Sequence, residues 1–204
     1  NARTYGIELD EYRAKKAKSA LDHVLHCGYE DVRISNDVFS CLFLNPPYDW
    51  EGGASEGHGH ERTEKAFLKS TVRYLLPEGV LVYIVPQPRV TEDIAKILCY
   101  RFEGFNTYRF PDDEYEQFKQ IVLFGRRKGQ GYLDDNSFGV LSTIPCVELP
   151  EIPYLQEPVY ALPPSPQVKL FRSTLIDEAE LEKELKSSAL WEKLNGYGRG
   201  SRDG

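Results

Sequence analysis

Four adjacent residues, Asn45-Pro46-Pro47-Tyr48, follow an apolar run and could together bind an amino group. The Asn45 side chain offers a carbonyl acceptor, and the Pro46 main-chain carbonyl offers a second one. The two prolines restrict the backbone to extended conformations, so both acceptors can point into one pocket. Tyr48 adds a flat face for a planar group. We call residues 45–48 the acceptor corner, and we expect it to bind an amino group attached to a planar π-system and to free its nitrogen lone pair for attack.

A simpler interpretation of the acceptor corner is a plain strand-to-loop turn, because proline pairs often end strands. Trp50 either extends an aromatic wall beside Tyr48 or packs beneath the following loop. The segment "GHGH" (57–60) predicts a mobile loop near the pocket. We expect no metal site there, because its two histidines have no cysteine or acid partners at ligand spacing. His23, His26 and Cys27 alternate along one strand, which also argues against a shared metal.

The elements that would position this corner follow from hydrophobic periodicity, helix boundaries and chain breakers. The alternation of strands and helices favours an α/β fold, a three-layer sandwich with a mostly parallel sheet. Ligands of such sheets bind beyond the carboxyl ends of the strands, where the acceptor corner stands. Strands are predicted at 4–9, 22–27, 38–44, 79–85, 105–110 and 120–127, and helices at 10–21, 62–76, 91–102 and 173–194.

Three of these strands carry specific expectations. The run at 38–44 is apolar on both faces, as in a central parallel strand. The strands at 105–110 and 120–127 are joined by an acidic loop without a helix, which predicts an antiparallel pair at the sheet edge.

The domain organisation is predicted from the change in composition near residue 129. Residues 1–128 form the α/β domain. Residues 129–172 are rich in proline without a helical period, which predicts an extended strap over the domain surface. A charged helix at 173–195 and a disordered tail at 196–204 complete the chain.

Composition indicates a globular protein of one domain with an appendage. No apolar run approaches the roughly 20 residues that span a bilayer, so we expect a cytoplasmic location without membrane contact. The net charge of −7 excludes a generally basic nucleic-acid coat protein but allows a local binding patch. The four cysteines form no CxxC pair, which predicts reduced core thiols rather than disulfides or a zinc site.

The segment "LNPPY" resembles motif IV of the class I amino-methyltransferases that use S-adenosylmethionine: the N6-adenine DNA methyltransferases and their rRNA and protein-glutamine relatives. "YGIELDEYRAKKAKSAL" is similar to the second strand of that fold and the helix that follows. "GVLVYIVPQ" and "QIVLFGRR" resemble its fifth to seventh strands. The resemblance covers about residues 4–128. The layout with a proline-rich strap is similar to uncharacterised bacterial methyltransferase-like proteins associated with mobile elements.

The resemblance implies S-adenosylmethionine as cofactor and DNA as partner. A target adenine would be flipped into the pocket, with Asn45, Pro46, Pro47 and Tyr48 as the catalytic residues. Glu8 matches the acid that binds the cofactor's ribose hydroxyls, although it could merely start the following helix. Asp31 is the candidate for the acid that contacts the cofactor's adenine.

The glycine-rich first motif of the family does not occur in these residues, and the sequence contains no methionine. We therefore expect a fragment that binds S-adenosylmethionine weakly or not at all. In the family, the first strand lies between the second and the fourth. Without it, the sheet should close by direct pairing, by exchange with a neighbour, or by detachment of residues 4–30.

Three functions stay open at this point: methylation of adenine N6 in DNA, the same chemistry on rRNA or a protein glutamine, and a non-enzymatic binding module. The resemblance favours the first.

Overall fold

A computed structural model describes residues 2–47, 63–154 and 157–175, together with residue 186. None of the helices in these ranges is long and apolar enough to cross a membrane. The elements found in the described part of the chain are the helices α1 (Glu11–Lys18), α2 (Thr63–Thr71), α3 (Glu92–Arg101), α4 (Asp112–Phe118) and α5 (Asp135–Thr143), and the strands β1 (Tyr5–Glu8), β2 (His23–His26), β3 (Val32–Ile34), β4 (Phe39–Leu44), β5 (Leu75–Pro86), β6 (Phe102–Arg109), β7 (Gln120–Arg127) and β8 (Phe171–Ser173).

The chain divides into two compact units. The first unit combines Asn1–Ile34 with Leu170–Gly204, and the second unit comprises Ser35–Lys169.

In the first unit, β1 and β2 form a parallel pair that α1 connects. Asp10 caps α1, because its side chain accepts a hydrogen bond from the Arg13 N–H at 2.8 Å. The strands β3 and β8 pair antiparallel in a second small sheet. Since β1 and β2 are parallel, their carboxyl ends lie at the same edge.

The second unit is built on a four-stranded sheet in the order β4-β5-β7-β6. The strands β4 and β5 are parallel, whereas β7 is antiparallel to both β5 and β6. The α/β class is confirmed, and so is the antiparallel pair at the sheet edge. The sheet is mixed, however, rather than mostly parallel as predicted.

The core of the second unit lies on one face of this sheet. Leu81, Tyr83 and Val85 alternate along β5 and pack against residues of α2, α3 and α5. On β7, Phe124 stacks on Tyr160 of the strap, with ring centroids 6.1 Å apart. The helices and part of the strap thus form the layers that contact the sheet.

The strand β4 differs from the prediction of a central strand, because it lies at an edge of the four-stranded sheet. Its side chains Cys41 and Phe43 are exposed, Phe43 by 65%. The physical reason is that β1 and β2 pair with each other in a separate sheet. None of the described strands of the four-stranded sheet pairs with β1 or β2.

Two helices were not predicted from the sequence. The predicted acidic loop contains α4, which begins at Asp112, an acid at the end of the helix where the dipole favours negative charge. The predicted strap contains α5. Asp134 caps α5 by accepting hydrogen bonds from the N–H groups of Asn136 and Ser137, so a local cap outweighs the neighbouring glycines and prolines.

Smaller differences concern boundaries and thiols. The predicted helix at 62–76 ends at Thr71, and β5 begins at Leu75. The predicted helix at 173–195 begins where β8 still runs, and nearly all of its remainder, with the tail at 196–204, lies outside the described residues. All four cysteines are free, but only Cys27 and Cys99 are the buried thiols that we predicted.

Candidate active site

The acceptor corner begins directly after β4. Leu44, the last residue of β4, is buried and pairs with Tyr83 of β5. Asn45 is exposed, Pro46 is buried and Pro47 is exposed. Pro46 has no N–H to continue the ladder, so the strand ends here, and its buried ring anchors the turn. The Asn45 side chain is therefore at the surface beyond the carboxyl end of a parallel strand, where such sheets bind ligands.

The aromatic half of the predicted site cannot be placed in the same way. Tyr48, Trp50 and the histidine segment at 57–60 lie outside the described residues. The stacking role of Tyr48 stays a prediction.

The turn after β5 lies beside the end of β4 and is fixed by Gln87. This side chain is 4% exposed, and its Nε2 donates to the carbonyls of Ile144 and Val147 at 2.6 and 2.7 Å. Its Oε1 accepts a hydrogen bond from the Tyr115 hydroxyl. Gln87 thereby ties the end of β5 to α4 and to the segment after α5.

A buried carboxylate lies near this turn. Glu64, in the first turn of α2, is 2% exposed. Its Oε1 has no hydrogen-bond partner among the described residues, and the Arg89 Nε lies 3.7 Å away. The Glu64 main-chain carbonyl accepts a hydrogen bond from the Tyr83 hydroxyl at 3.1 Å. This contact joins the first turn of α2 to Tyr83, which lies in the core and pairs with Leu44.

The sequence analysis did not identify Gln87, Glu64 or Arg89. A polar residue between two prolines at a strand end, as in "PQP", was the available signal for Gln87. Glu64 had no such signal, because acids are common in the first turn of helices. Its burial is visible only in three dimensions.

Glu8 is the last residue of β1 in the first unit. Its Oε1 accepts hydrogen bonds from the Asp10 N–H at 2.9 Å and from the Arg13 Nη2 at 3.1 Å. The hydrogen bond from Arg13 lowers the pKa of Glu8. Glu8 is therefore a charged acceptor at neutral pH. The N-cap of α1 is Asp10, so Glu8 is not needed to cap that helix.

Asp31 ends a short 3-10 helix, Tyr29–Asp31, that follows β2. Its main-chain carbonyl accepts hydrogen bonds from the N–H and the hydroxyl of Thr174 at 2.6 and 3.0 Å. The Asp31 carboxylate lies close to Gly28, because a Cβ atom added to Gly28 would be only 3.2 Å from the Asp31 Oδ2. Glu8 thus ends one strand, and Asp31 follows the carboxyl end of the parallel strand beside it.

The described part of the chain also bears on two other kinds of site, a metal centre and a cavity. It contains no group of three or more His, Cys, Asp or Glu side chains that could hold a metal. A cavity of about 560 Å³ lies between the sheet and the strap, and Gly104, Asn106, Arg126 and Tyr160 contribute to its lining. Arg126 of β7 is the strand neighbour of Val80 of β5, and Val80 is in turn the strand neighbour of Cys41 of β4. Cys41 lies four residues before Asn45. The cavity is thus roughly 13 Å along the strands from the acceptor corner.

Comparison with known proteins adds a family. The sequence profile of the Uncharacterised methyltransferase family (DUF6094) matches residues 1–165. No curated protein matches the sequence significantly.

Several solved structures are similar to this chain. A protein from Listeria monocytogenes assigned to the class I S-adenosylmethionine-dependent methyltransferases is 16% identical, with a TM-score of 0.50, over 72% of this chain and 55% of its own length. A protein from Agrobacterium tumefaciens assigned as an O-methyltransferase is 16% identical, with a TM-score of 0.42, over 64% of each chain. The tRNA methyltransferase TrmI from Aquifex aeolicus is 12% identical, with a TM-score of 0.41, over 61% of this chain and 53% of its own.

These likenesses concern the fold. The Listeria protein has the class I methyltransferase fold, which agrees with the Rossmann-like architecture predicted from the sequence. The chain spans between about half and two thirds of the length of the three solved structures.

Proposed function

The chain belongs to the uncharacterised methyltransferase family DUF6094, and we propose that it transfers a methyl group from S-adenosylmethionine to the N6 amino group of adenine in DNA. The observation that carries this proposal is the exposed side chain of Asn45 beyond the carboxyl end of β4, on a turn anchored by the buried Pro46. The resemblance of "LNPPY" to motif IV supports adenine as the substrate.

The residues of the acceptor corner would act on the amino group directly. The Asn45 Oδ1 and the Pro46 carbonyl each accept a hydrogen bond from one of its two N–H groups. Held in this way, the nitrogen becomes pyramidal, and its lone pair is no longer delocalised into the ring. Tyr48 stacks on the adenine, which is flipped out of the duplex. Catalysis then depends on positioning and electrostatics.

The acids of the first unit suit the cofactor. When bound, S-adenosylmethionine supplies an electrophilic methyl group. Glu8 is ionised at neutral pH, since Arg13 lowers its pKa, and a carboxylate has about four acceptor positions for ribose hydroxyls and other donors. Asp31, which follows the neighbouring strand, would accept a hydrogen bond from the cofactor's adenine.

Methyl transfer from radiolabelled S-adenosylmethionine, supplied at a concentration high enough for the weak binding expected from the sequence, to separate pools of DNA, RNA and protein tests the proposal. We expect label in DNA, recovered as N6-methyladenine. The Asn45→Ala variant should lose about 100- to 1000-fold in rate, the usual effect of removing one preorganised hydrogen-bonding group. Asn45→Asp should retain more activity, because a carboxylate is also an acceptor.

The matched control is Asn136→Ala. Asn136 is exposed near the start of α5, so its substitution should leave the rate unchanged. If the label were recovered in rRNA or in protein glutamine, that molecule rather than DNA would be the substrate. A folded protein that labels none of the three pools would contradict methyl transfer itself.

A further inference from the structure

Two arginines lie opposite each other on a small sheet of the first unit. In the antiparallel pair of β3 and β8, Arg33 is the direct cross-strand partner of Arg172. The Cβ atoms of directly opposite residues are about 5 Å apart, so the two side chains leave the sheet next to each other. Like charges placed in this way oppose strand pairing, so stability alone does not explain the arrangement.

The inner face of this sheet is formed by the neighbours of the two arginines. Val32 is buried, and the Phe171 ring packs edge-on against the Tyr5 ring, with centroids 5.0 Å apart. Because successive side chains of a strand point to opposite faces, Arg33 and Arg172 lie on the outer face. Both residues are exposed, which agrees with this position.

No carboxylate of the described ranges neutralises this pair. The Arg33 Nη1 donates to the Val32 carbonyl at 3.1 Å, and neither guanidinium forms an ion pair within those ranges. Arg126 of β7, by contrast, contacts two carboxylates at 2.8 and 3.1 Å. In a chain with a net charge of −7, the two adjacent arginines therefore form a local positive patch.

The chemistry of the pair suits phosphate. A guanidinium is always charged in proteins, and its planar fork of N–H donors matches two oxygens of a phosphate group. Two guanidinium groups that leave neighbouring positions can bind one phosphate together or two successive phosphates of a strand. A bound phosphate also offsets the repulsion between the two arginines.

We propose that Arg33 and Arg172 bind the phosphodiester backbone of DNA. The choice of DNA rests on the proposed function, whereas the preference for phosphate rests on the pair itself. Contacts to phosphate fix the position of a nucleic acid but do not read its sequence. The pair therefore holds the duplex and leaves sequence recognition to other residues.

The experiment measures binding without methylation. A fluorescently labelled duplex of mixed sequence is titrated with the chain at several salt concentrations, and anisotropy gives the affinity. Each arginine that neutralises a phosphate releases counterions from the DNA, so Arg33→Gln and Arg172→Gln should each lower the slope of log affinity against log salt by about 0.9. The same relation predicts about eightfold weaker binding for each variant at about 0.1 M salt. Arg33→Lys should keep the slope, because the charge stays, but should bind less tightly than the wild type.

The matched control is Lys15→Gln, which removes one positive charge from the same unit. Lys15 is exposed and pairs with Glu11 at 2.6 Å, so its replacement should change DNA affinity by less than about twofold. The melting temperature of Arg33→Gln and of Arg172→Gln should stay equal or rise, because like charges no longer lie opposite each other.

Three outcomes overturn the proposal. The first is a wild-type chain without measurable affinity for DNA, or a double variant, Arg33→Gln with Arg172→Gln, that binds DNA as the wild type does. The second is a lower melting temperature of the double variant, which would assign the pair to contacts within the chain, such as its acidic stretch at 177–184. The third is tighter binding to phosphatidylserine vesicles than to DNA, which would assign the pair to a membrane surface. If the chain binds DNA through this pair but methylates no pool, the proposed function fails and the phosphate contact stands.

Discussion

The two ends of the four-stranded sheet each carry an arginine paired with a glutamate, but the pairs are built differently. At the amino end of β5, Arg126 contacts Glu103 at 2.8 Å and Glu78 at 3.1 Å, and all three side chains are partly exposed. At the carboxyl end, Arg89 approaches the buried Glu64 only to 3.7 Å. The ends are about 20 Å apart along the strands.

The difference separates pairs at the surface whose charges are closely matched from a buried pair that leaves a carboxylate oxygen without a hydrogen bond. Exposed pairs with good geometry contribute little and are easily replaced. A buried carboxylate without a hydrogen bond opposes folding, so the pair at the carboxyl end stabilises the fold less than its burial alone would suggest.

The largest expected effect on stability is that of replacing Gln87. This side chain is buried at the carboxyl end of the sheet, and both its amide nitrogen and its amide oxygen have hydrogen-bond partners. Gln87→Ala leaves the carbonyls of Ile144 and Val147 and the Tyr115 hydroxyl each without one partner. We expect the free energy of unfolding to fall by about 3 kcal/mol. Urea denaturation followed by circular dichroism measures it.

Gln130→Ala is the control for this prediction, because Gln130 is exposed and its substitution should change stability by less than about 0.5 kcal/mol. A Gln87→Ala variant as stable as this control would mean that the turn after β5 is held by other contacts. The contrast between Gln87 and Glu64 would then lose its basis.

A second effect concerns the amino end, where the buried Cys99 lies near Lys128. The Lys128 ammonium donates to the Cys99 carbonyl at 2.7 Å. Burial, with a smaller effect of Asp134, raises the pKa of the Cys99 thiol from 9.0 to about 11. Below pH 9 the thiol is protonated in both states, and its contribution to stability is complete. Between pH 9 and 11 only the unfolded state loses the proton, so stability should fall by about 2 kcal/mol.

Unfolding at pH 8 and at pH 10.5 measures this effect. Cys99→Ala should show a smaller loss between the two pH values than the wild type, whereas Cys146→Ala, which removes an exposed thiol, should resemble the wild type. Equal losses in Cys99→Ala and the wild type would assign the alkaline effect to other groups.

The fold class and the antiparallel edge pair could be predicted from the sequence, because they depend on local periodicity. The position of β4 could not. Its run "VFSCLFL" is as apolar as a central strand, but Phe43 is exposed because β1 pairs with β2 rather than beside β4. Which strands pair is a non-local choice, and a single sequence does not encode it in any short pattern. The helix α5 was missed for the opposite reason, since its Asp134 cap is a local signal that the composition of the strap obscured.

The residues of the candidate site also differ in how well the sequence alone could predict their surroundings. The end of the strand at Asn45 and Pro46 could be predicted, because proline has a fixed effect on the backbone wherever it occurs, and the binding roles of these residues stay predictions. Glu8, which the family resemblance suggested, does end β1, and its role at the cofactor stays a prediction. The surroundings of Glu64 could not be predicted, because what distinguishes it is burial without a donor, and this depends on Arg89 and Tyr83 from a different part of the chain.

The smallest effect tests the amino end of the comparison directly. Glu103→Gln removes the shorter of the two contacts to Arg126, but Glu78 keeps the guanidinium paired. We expect a loss of at most about 0.5 kcal/mol in the free energy of unfolding, as for other exposed pairs. Since mobile ions screen exposed charges, the loss should become smaller still in 1 M salt. Denaturation at low and high salt measures both values. A loss above about 1.5 kcal/mol that persists in salt would show that this pair is as important to the fold as a buried one, and the contrast with Glu64 and Arg89 would no longer distinguish the two ends.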